Sequence, residues 1–150
     1  MKFPKFELMN KNNEIVSHND LLGQYTVLFF YPRDNTPTCT QQACMFRDIK
    51  DTLKSLNAEV YGISGDSAKK HTNFINKHDL NFSLLVDEDY QLSEQLDVYK
   101  LKKVFGKESK GIVRTTFILD EQNEIVKRFD QVKVKNHMDE VVEAIKIAQT

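Results

Sequence analysis

The stretch of residues 26–48, TVLFFYPRDNTPTCTQQACMFRD, decides the fold. Its opening, from Thr26 to Tyr31, is the longest strongly apolar run in the chain. A strand apolar on both faces belongs in the middle of a sheet covered on both sides. Pro32, Asp34 and Asn35 then read as a polar turn, and from Pro37 the spacing becomes helical. Thr36 is a good N-cap and Pro37 a good first helical residue. Cys39 therefore falls in the first turn of a helix, where free N–H groups and the helix dipole favour an anion. The nucleophile of thiol chemistry is the thiolate. A buried strand, a tight turn and a cysteine at a helix start thus point to a reactive thiol. The competing reading is an inert, packed cysteine that happens to sit there.

The helix is expected over residues 37–56. At about 100° per residue, Phe46, Ile49, Leu53 and Leu56 define one face, with Cys39 and Gln42 projecting near it. Cys44 points to the opposite, polar side beside Asp48 and Asp51, where a cysteine has little packing to do. A stray surface cysteine is the alternative.

Outward from this stretch the chain alternates. Residues 3–8 and 14–16 flank an Asn-rich turn and read as a weak N-terminal hairpin. Residues 19–23 suggest one helical turn closed by Gly23. Further strands are expected over 58–63, 82–86, 113–119 and 124–129, with helices over 67–78, 90–96 and 136–148. The last of these carries Met138, Val141, Val142, Ile145 and Ala148 on one face. Residues 99–111, YKLKKVFGKESKG, read as a lysine-rich connection. The order βαβ…ββα predicts an α/β protein with a thioredoxin-like fold: a mixed central sheet flanked by helices, with an N-terminal β-hairpin. Right-handed crossovers place the Cys39 loop at the C-terminal edge of the central strand, where open α/β sheets carry their sites.

The chain of 150 residues is read as a single domain, 1–150. A net charge of -1 gives no bulk bias toward nucleic acid or anionic membrane. No apolar run approaches the roughly 18–20 residues of a membrane span, and the charge-interrupted N-terminus does not read as a signal peptide. A cytoplasmic protein is expected. In that compartment thiols are kept reduced, so two cysteines suggest redox catalysis over a structural bridge. Two cysteines at C-x4-C without a nearby histidine do not make a zinc set.

Pro32-Arg33-Asp34-Asn35-Thr36-Pro37-Thr38-Cys39 is P-x3-T-x2-C, which resembles the active-site signature of peroxiredoxins. Cys44 resembles the resolving cysteine of the peroxiredoxin Q subgroup, also called bacterioferritin comigratory proteins. Gln42-Ala43-Cys44-x2-Arg47-Asp48, Gly62-Ile63-Ser64, Asn81-Phe82-x-Leu84-Leu85-x-Asp87-Glu88-Asp89 and Gly111-Ile112-x-Arg114-x-Thr116-Phe117 extend the likeness over nearly the whole chain.

The resemblance implies a thiol-dependent peroxidase. Cys39 is implied as the peroxidatic cysteine, attacking hydrogen peroxide or an organic hydroperoxide and becoming a sulfenic acid. Thr36 is implied to hydrogen-bond thiolate or peroxide, Pro32 to shield the site from water, and Arg114 to hold both reactants. Cys44 is implied to close an intramolecular disulfide with Cys39, which thioredoxin or a similar dithiol donor reduces. No cofactor or metal is implied, and the subgroup suggests a monomer. Residues five apart in a helix have Cα atoms about 8.7 Å apart, beyond the roughly 7 Å a disulfide spans. The implied bond therefore requires the helix start to unwind.

The chain departs from the subgroup at Thr38, where Gly is common, at Gln42, where Glu is frequent, and in its short N-terminus. These bear on rate and substrate preference more than on reaction type. Two other functions fit the fold class. A disulfide oxidoreductase without peroxidase activity is disfavoured because C-x4-C is not C-x-x-C. A non-catalytic binding module is disfavoured because both cysteines, Thr36 and Arg114 are present. The histidines, His18, His71, His78 and His137, are scattered and expected at the surface. Asp87-Glu88-Asp89 reads as a turn and helix start, too sparse for calcium. The lysine run at 99–111 reads as a solvated loop, with docking of an acidic redox partner the sharper alternative; no basic helix accompanies it to suggest nucleic acid.

Overall fold

Residues 27–31 alternate between two cores. The computed structural model describes residues 1–104 and 106–150. In it Val27, Phe29 and Tyr31 face one apolar cluster, while Leu28 and Phe30 face another. This is why β3 (Tyr25–Phe30) has no polar face: both of its surfaces are dry. The first cluster draws Phe46, Leu53, Phe74, Val141 and Ile145 from helices α1 (Pro37–Asp48), α2 (Lys50–Ser55), α3 (Ala68–His78) and α5 (His137–Ala148). The second is closed by Phe3, Phe6 and Leu21 from the N-terminal segment, with Leu92 from α4 (Gln91–Gln95). Fully burying one such side chain is worth about 1.5–3 kcal/mol.

The remaining strands of the main sheet are β1 (Glu7–Met9), β2 (Ile15–Ser17), β4 (Ala58–Ser64) and β5 (Ser83–Val86). To these a second hairpin adds Thr115–Leu119 and Ile125–Phe129, strands β8 and β9 in the numbering that follows. The seven strands of this sheet are ordered β2-β1-β5-β4-β3-β8-β9. β3, β4 and β5 run parallel, and every other pairing is antiparallel. This is the mixed sheet between helices of the thioredoxin-like fold, with the N-terminal hairpin at one edge. Close packing is enforced at Gly62 in β4. A Cβ there would lie 2.7 Å from the Leu84 side chain and 2.8 Å from that of Phe29, so any side chain would displace the core packing of the two flanking strands.

Two elements differ from the sequence expectation. The helix expected over 37–56 is two helices, parted at Ile49, whose ψ of 12° leaves the helical range. Asn81 Nδ2 donates to the Arg47 carbonyl at 3.2 Å, drawing off an acceptor at the break. The connection expected at 99–111 is a two-stranded hairpin of β6 (Tyr99–Val104) and β7 (Lys107–Ile112). Tyr99 stacks on Tyr90 at 4.2 Å and Ile112 is buried. These contacts hold the hairpin's base while its lysines occupy exposed or half-buried positions along the strands. Part of that run, Phe105, lies outside the described residues.

Candidate active site

Helix α1 begins where the sequence reading placed it, with Thr36 at the N-cap position and Pro37 inside the first turn. The Thr36 side chain makes no capping bond; its hydroxyl donates to the Arg33 carbonyl at 3.1 Å. The hydroxyl therefore stabilises the turn before the helix rather than a free N–H at its start. Cys39 lies in the first turn, 2% exposed and packed with Ala43 and Phe46 in the first core cluster. Cys44, on the other side of the same helix, is half-buried, and both cysteines are free thiols.

Seventy-five residues further on, the chain brings in its cation. Arg114 sits immediately before β8 (Thr115–Leu119), which pairs antiparallel with β3. Its backbone is fixed by Val132, whose N–H donates to the Arg114 carbonyl at 2.9 Å. From there Arg114 Nη2 donates to Cys39 Sγ at 3.2 Å, and Nη1 donates to Gln42 Oε1 at 2.6 Å. A guanidinium is always charged and can only donate. Negative charge on the sulfur, or on an oxygen beside it, is favoured by this fork and by the N–H groups of the helix start. Because the guanidinium cannot accept, the Gln42 amide must turn its oxygen toward it. Among the described residues, Gln42 Nε2 is left buried without a partner.

A second cation stands nearby. Lys102 of β6 donates from Nζ to the Ile112 carbonyl at 2.5 Å. Burial pushes its ammonium below the usual lysine range, and Arg114 adds to that push. One lysine of the run at 99–111 is thus turned inward, beside the site.

The sequence candidates are placed as follows. Cys39 and Arg114 are in direct contact. Cys44 shares the helix of Cys39 but points away. Pro32 is half-buried and, with Arg33, lines an open cavity of about 680 Å³ together with Asp66, Ser67 and Tyr90. Gln42 was legible only as a polar residue near a core-facing position; its role as the second acceptor for Arg114 appears in three dimensions. Two of the histidines expected at the surface are buried. His71 bonds Asp34, and His137 bonds the Thr116 hydroxyl at 2.9 Å.

The AhpC/TSA family model matches residues 1–128. The chain belongs to that family. Within it the relatives are peroxiredoxins of the Bcp type. Peroxiredoxin Bcp of Bacillus subtilis is 46% identical over 145 residues, covering 97% of this chain and 92% of the relative. Peroxiredoxin Bcp of Escherichia coli K12 is 43% identical over 143 residues, covering 95% and 92%. Among solved structures, the bacterioferritin comigratory protein of Xanthomonas campestris superposes with a TM-score of 0.91 at 32% identity, covering 97% of this chain and 92% of that one. That protein was studied for alkyl peroxide reduction. As a peroxiredoxin, the chain is a thiol-dependent peroxidase.

Proposed function

We propose that this peroxiredoxin reduces hydrogen peroxide and organic hydroperoxides at Cys39, with Cys44 as the resolving thiol. The observation that carries the reading is the 3.2 Å bond from Arg114 to a buried sulfur in the first turn of a helix. The Cys39 thiolate attacks one peroxide oxygen and the O–O bond breaks. The sulfur gives up two electrons and becomes a sulfenic acid, and the leaving oxygen takes a proton to depart as water or an alcohol. Arg114 meets the negative charge first on sulfur and then on the departing oxygen. Thr36 is the nearby hydroxyl for the peroxide, which requires it to leave the Arg33 carbonyl when substrate arrives. Pro32 limits water at the loop.

The Cys44 thiolate then attacks the Cys39 sulfur, expelling its oxygen as water and forming the disulfide. In an intact helix the two Cα atoms are about 8.7 Å apart, too far for that bond, so the start of α1 unwinds in each cycle. Early closure of the disulfide also competes with further oxidation of Cys39 to sulfinic acid. Thioredoxin or a similar dithiol returns the two electrons. The alkyl peroxide reduction of the Xanthomonas relative supports the substrate class. No described helix is long and apolar enough to cross a membrane, and we place the protein in the cytoplasm as a single-domain monomer without cofactor.

The test has two parts. An intact mass and peptide map of peroxide-treated protein is expected to locate a Cys39–Cys44 bond. In a coupled assay with NADPH, thioredoxin and its reductase, Cys39→Ser is expected to be inactive; full turnover by that variant would overturn the assignment.

A further inference from the structure

The loop that delivers Cys39 is tied down by a buried polar cluster that the peroxidase reaction does not otherwise use. Asp34 lies in that loop, between β3 and α1. Its Oδ2 is 2.7 Å from His71 Nδ1, with side-chain exposures of 2% and 0%. Its Oδ1 accepts the Tyr31 hydroxyl at 2.6 Å. Its backbone N–H donates to Asp66 Oδ2 at 2.7 Å, and Asp66 in turn accepts the Ser64 hydroxyl at 3.0 Å. His71 belongs to α3, and its Nε2 is 3.0 Å from the Leu85 carbonyl of β5. One loop residue is therefore bonded to the residues that follow β3 and β4, to α3, and through His71 to β5.

The hydrogen positions follow from chemistry. A carbonyl oxygen only accepts, so His71 Nε2 carries a hydrogen. Burial holds the Tyr31 phenol protonated well beyond the usual range, so it donates to Asp34. The short Nδ1–Oδ2 contact then holds one more proton. Whichever atom carries it, the Asp34–His71 pair has no net charge, which is what a fully desolvated site tolerates. Among the described residues nothing else satisfies Asp34 Oδ2, and removing His71 would leave a buried carboxyl group short of its partner.

We infer that His71 is a positioning residue for the peroxidase reaction. By holding Asp34 it keeps the loop seated so that Cys39 stays under Arg114 during the peroxide step, and this hold must release before Cys39 reaches Cys44. The inference rests on the assignment of Cys39 and Cys44 proposed above. It predicts that loosening the hold has opposite effects on two consecutive steps. The peroxide step needs the seated loop and slows, whereas disulfide closure needs the released loop and quickens. A role in packing alone would lower thermal stability without moving the ratio of the two rates.

The experiment mixes reduced protein with hydrogen peroxide in a single turnover. It follows Cys39 sulfenic acid by dimedone trapping and disulfide closure by intact mass. His71→Leu is expected to slow Cys39 oxidation and to speed closure, each roughly tenfold, because a buried polar hold lost on one side shifts the loop toward its released form. Asp34→Ala removes the loop's end of the hold without touching the core side of α3, and is expected to give the same split if His71→Leu folds poorly. Asp34→Asn can donate to a neutral His71 and still accept from Tyr31, so its rates are expected nearer wild type than those of Asp34→Ala. Rates that fall together, a ratio unchanged from wild type, or Asp34→Asn matching Asp34→Ala would each overturn the hold. Those results would leave the wild-type adduct at Cys39 intact. Absence of that adduct in the wild-type protein would instead overturn the assignment of Cys39.

Discussion

The two cysteines of α1 share one helix and have opposite surroundings. Cys39 is packed in the core and has a committed cation, Arg114, at 3.2 Å. Cys44 is half-buried, and the arginine of its own helix, Arg47, is spent on Asp48 at 2.9 Å and on the His78 carbonyl at 2.7 Å. A thiol meant to meet a small oxidant is served by fixed charge in a dry site. A thiol meant to attack a partner sulfur needs access and freedom more than charge. On this reading the difference assigns the order of events.

The contrast can be broken most directly at Cys44. Cys44→Ser is expected to abolish sustained turnover with thioredoxin while leaving the first, single-turnover oxidation of Cys39 at its wild-type rate. A first oxidation slowed alongside turnover would show that the two thiols are not separate in role. Arg114→Gln comes next. Loss of one preorganised charged donor is worth about 10²–10³ in rate, so the pre-steady-state peroxide step should fall by that much, with disulfide closure unaffected. Gln42→Leu should cost less, roughly tenfold in the peroxide step, since it removes one bond to a charged group. Its Tm should change little, because the orphaned amide hydrogens disappear while Arg114 Nη1 loses its acceptor.

The smallest expected effect lies in the other buried histidine. Burial pushes His137 below the usual imidazole range, with Glu140 opposing. A depressed folded-state value contributes stability above the unfolded-state range near 6.5 and loses it as pH falls. Between pH 7 and pH 5, roughly, the wild-type Tm should drop by about 2–4 °C more than that of His137→Gln; equal slopes would show that His137 carries no acid lability.

Much of the frame was legible because it rests on local patterns. The doubly apolar run at 26–31 announced the central strand, and Thr36-Pro37 announced the start of α1. The contact between Cys39 and Arg114 spans 75 residues, and no spacing rule reaches that far; only resemblance to a family pointed to it. His71 was misread although a signal existed. It precedes Phe74 by three residues and Ile75 by four, which sets it on the buried face of α3. A histidine there must find partners indoors, and Asp34 supplies one from a loop that reads as solvent-exposed turn chemistry. The hairpin of β6 and β7 was hidden for another reason. Its lysines mask the strand pattern of a ribbon that stands outside the main sheet.

The break at Ile49 sets a boundary to the motion. Helical hydrogen bonding is cooperative along an unbroken ladder, and here the ladder is interrupted between α1 and α2. If the first turns of α1 are lost and regained with every peroxide consumed, the loss has a natural stopping place. Leu53, fully buried on α2, keeps its packing through the cycle. The chain can then melt the first turns of α1 repeatedly while Leu53 of α2 holds its place in the core, a small foldon opening in place of the whole domain.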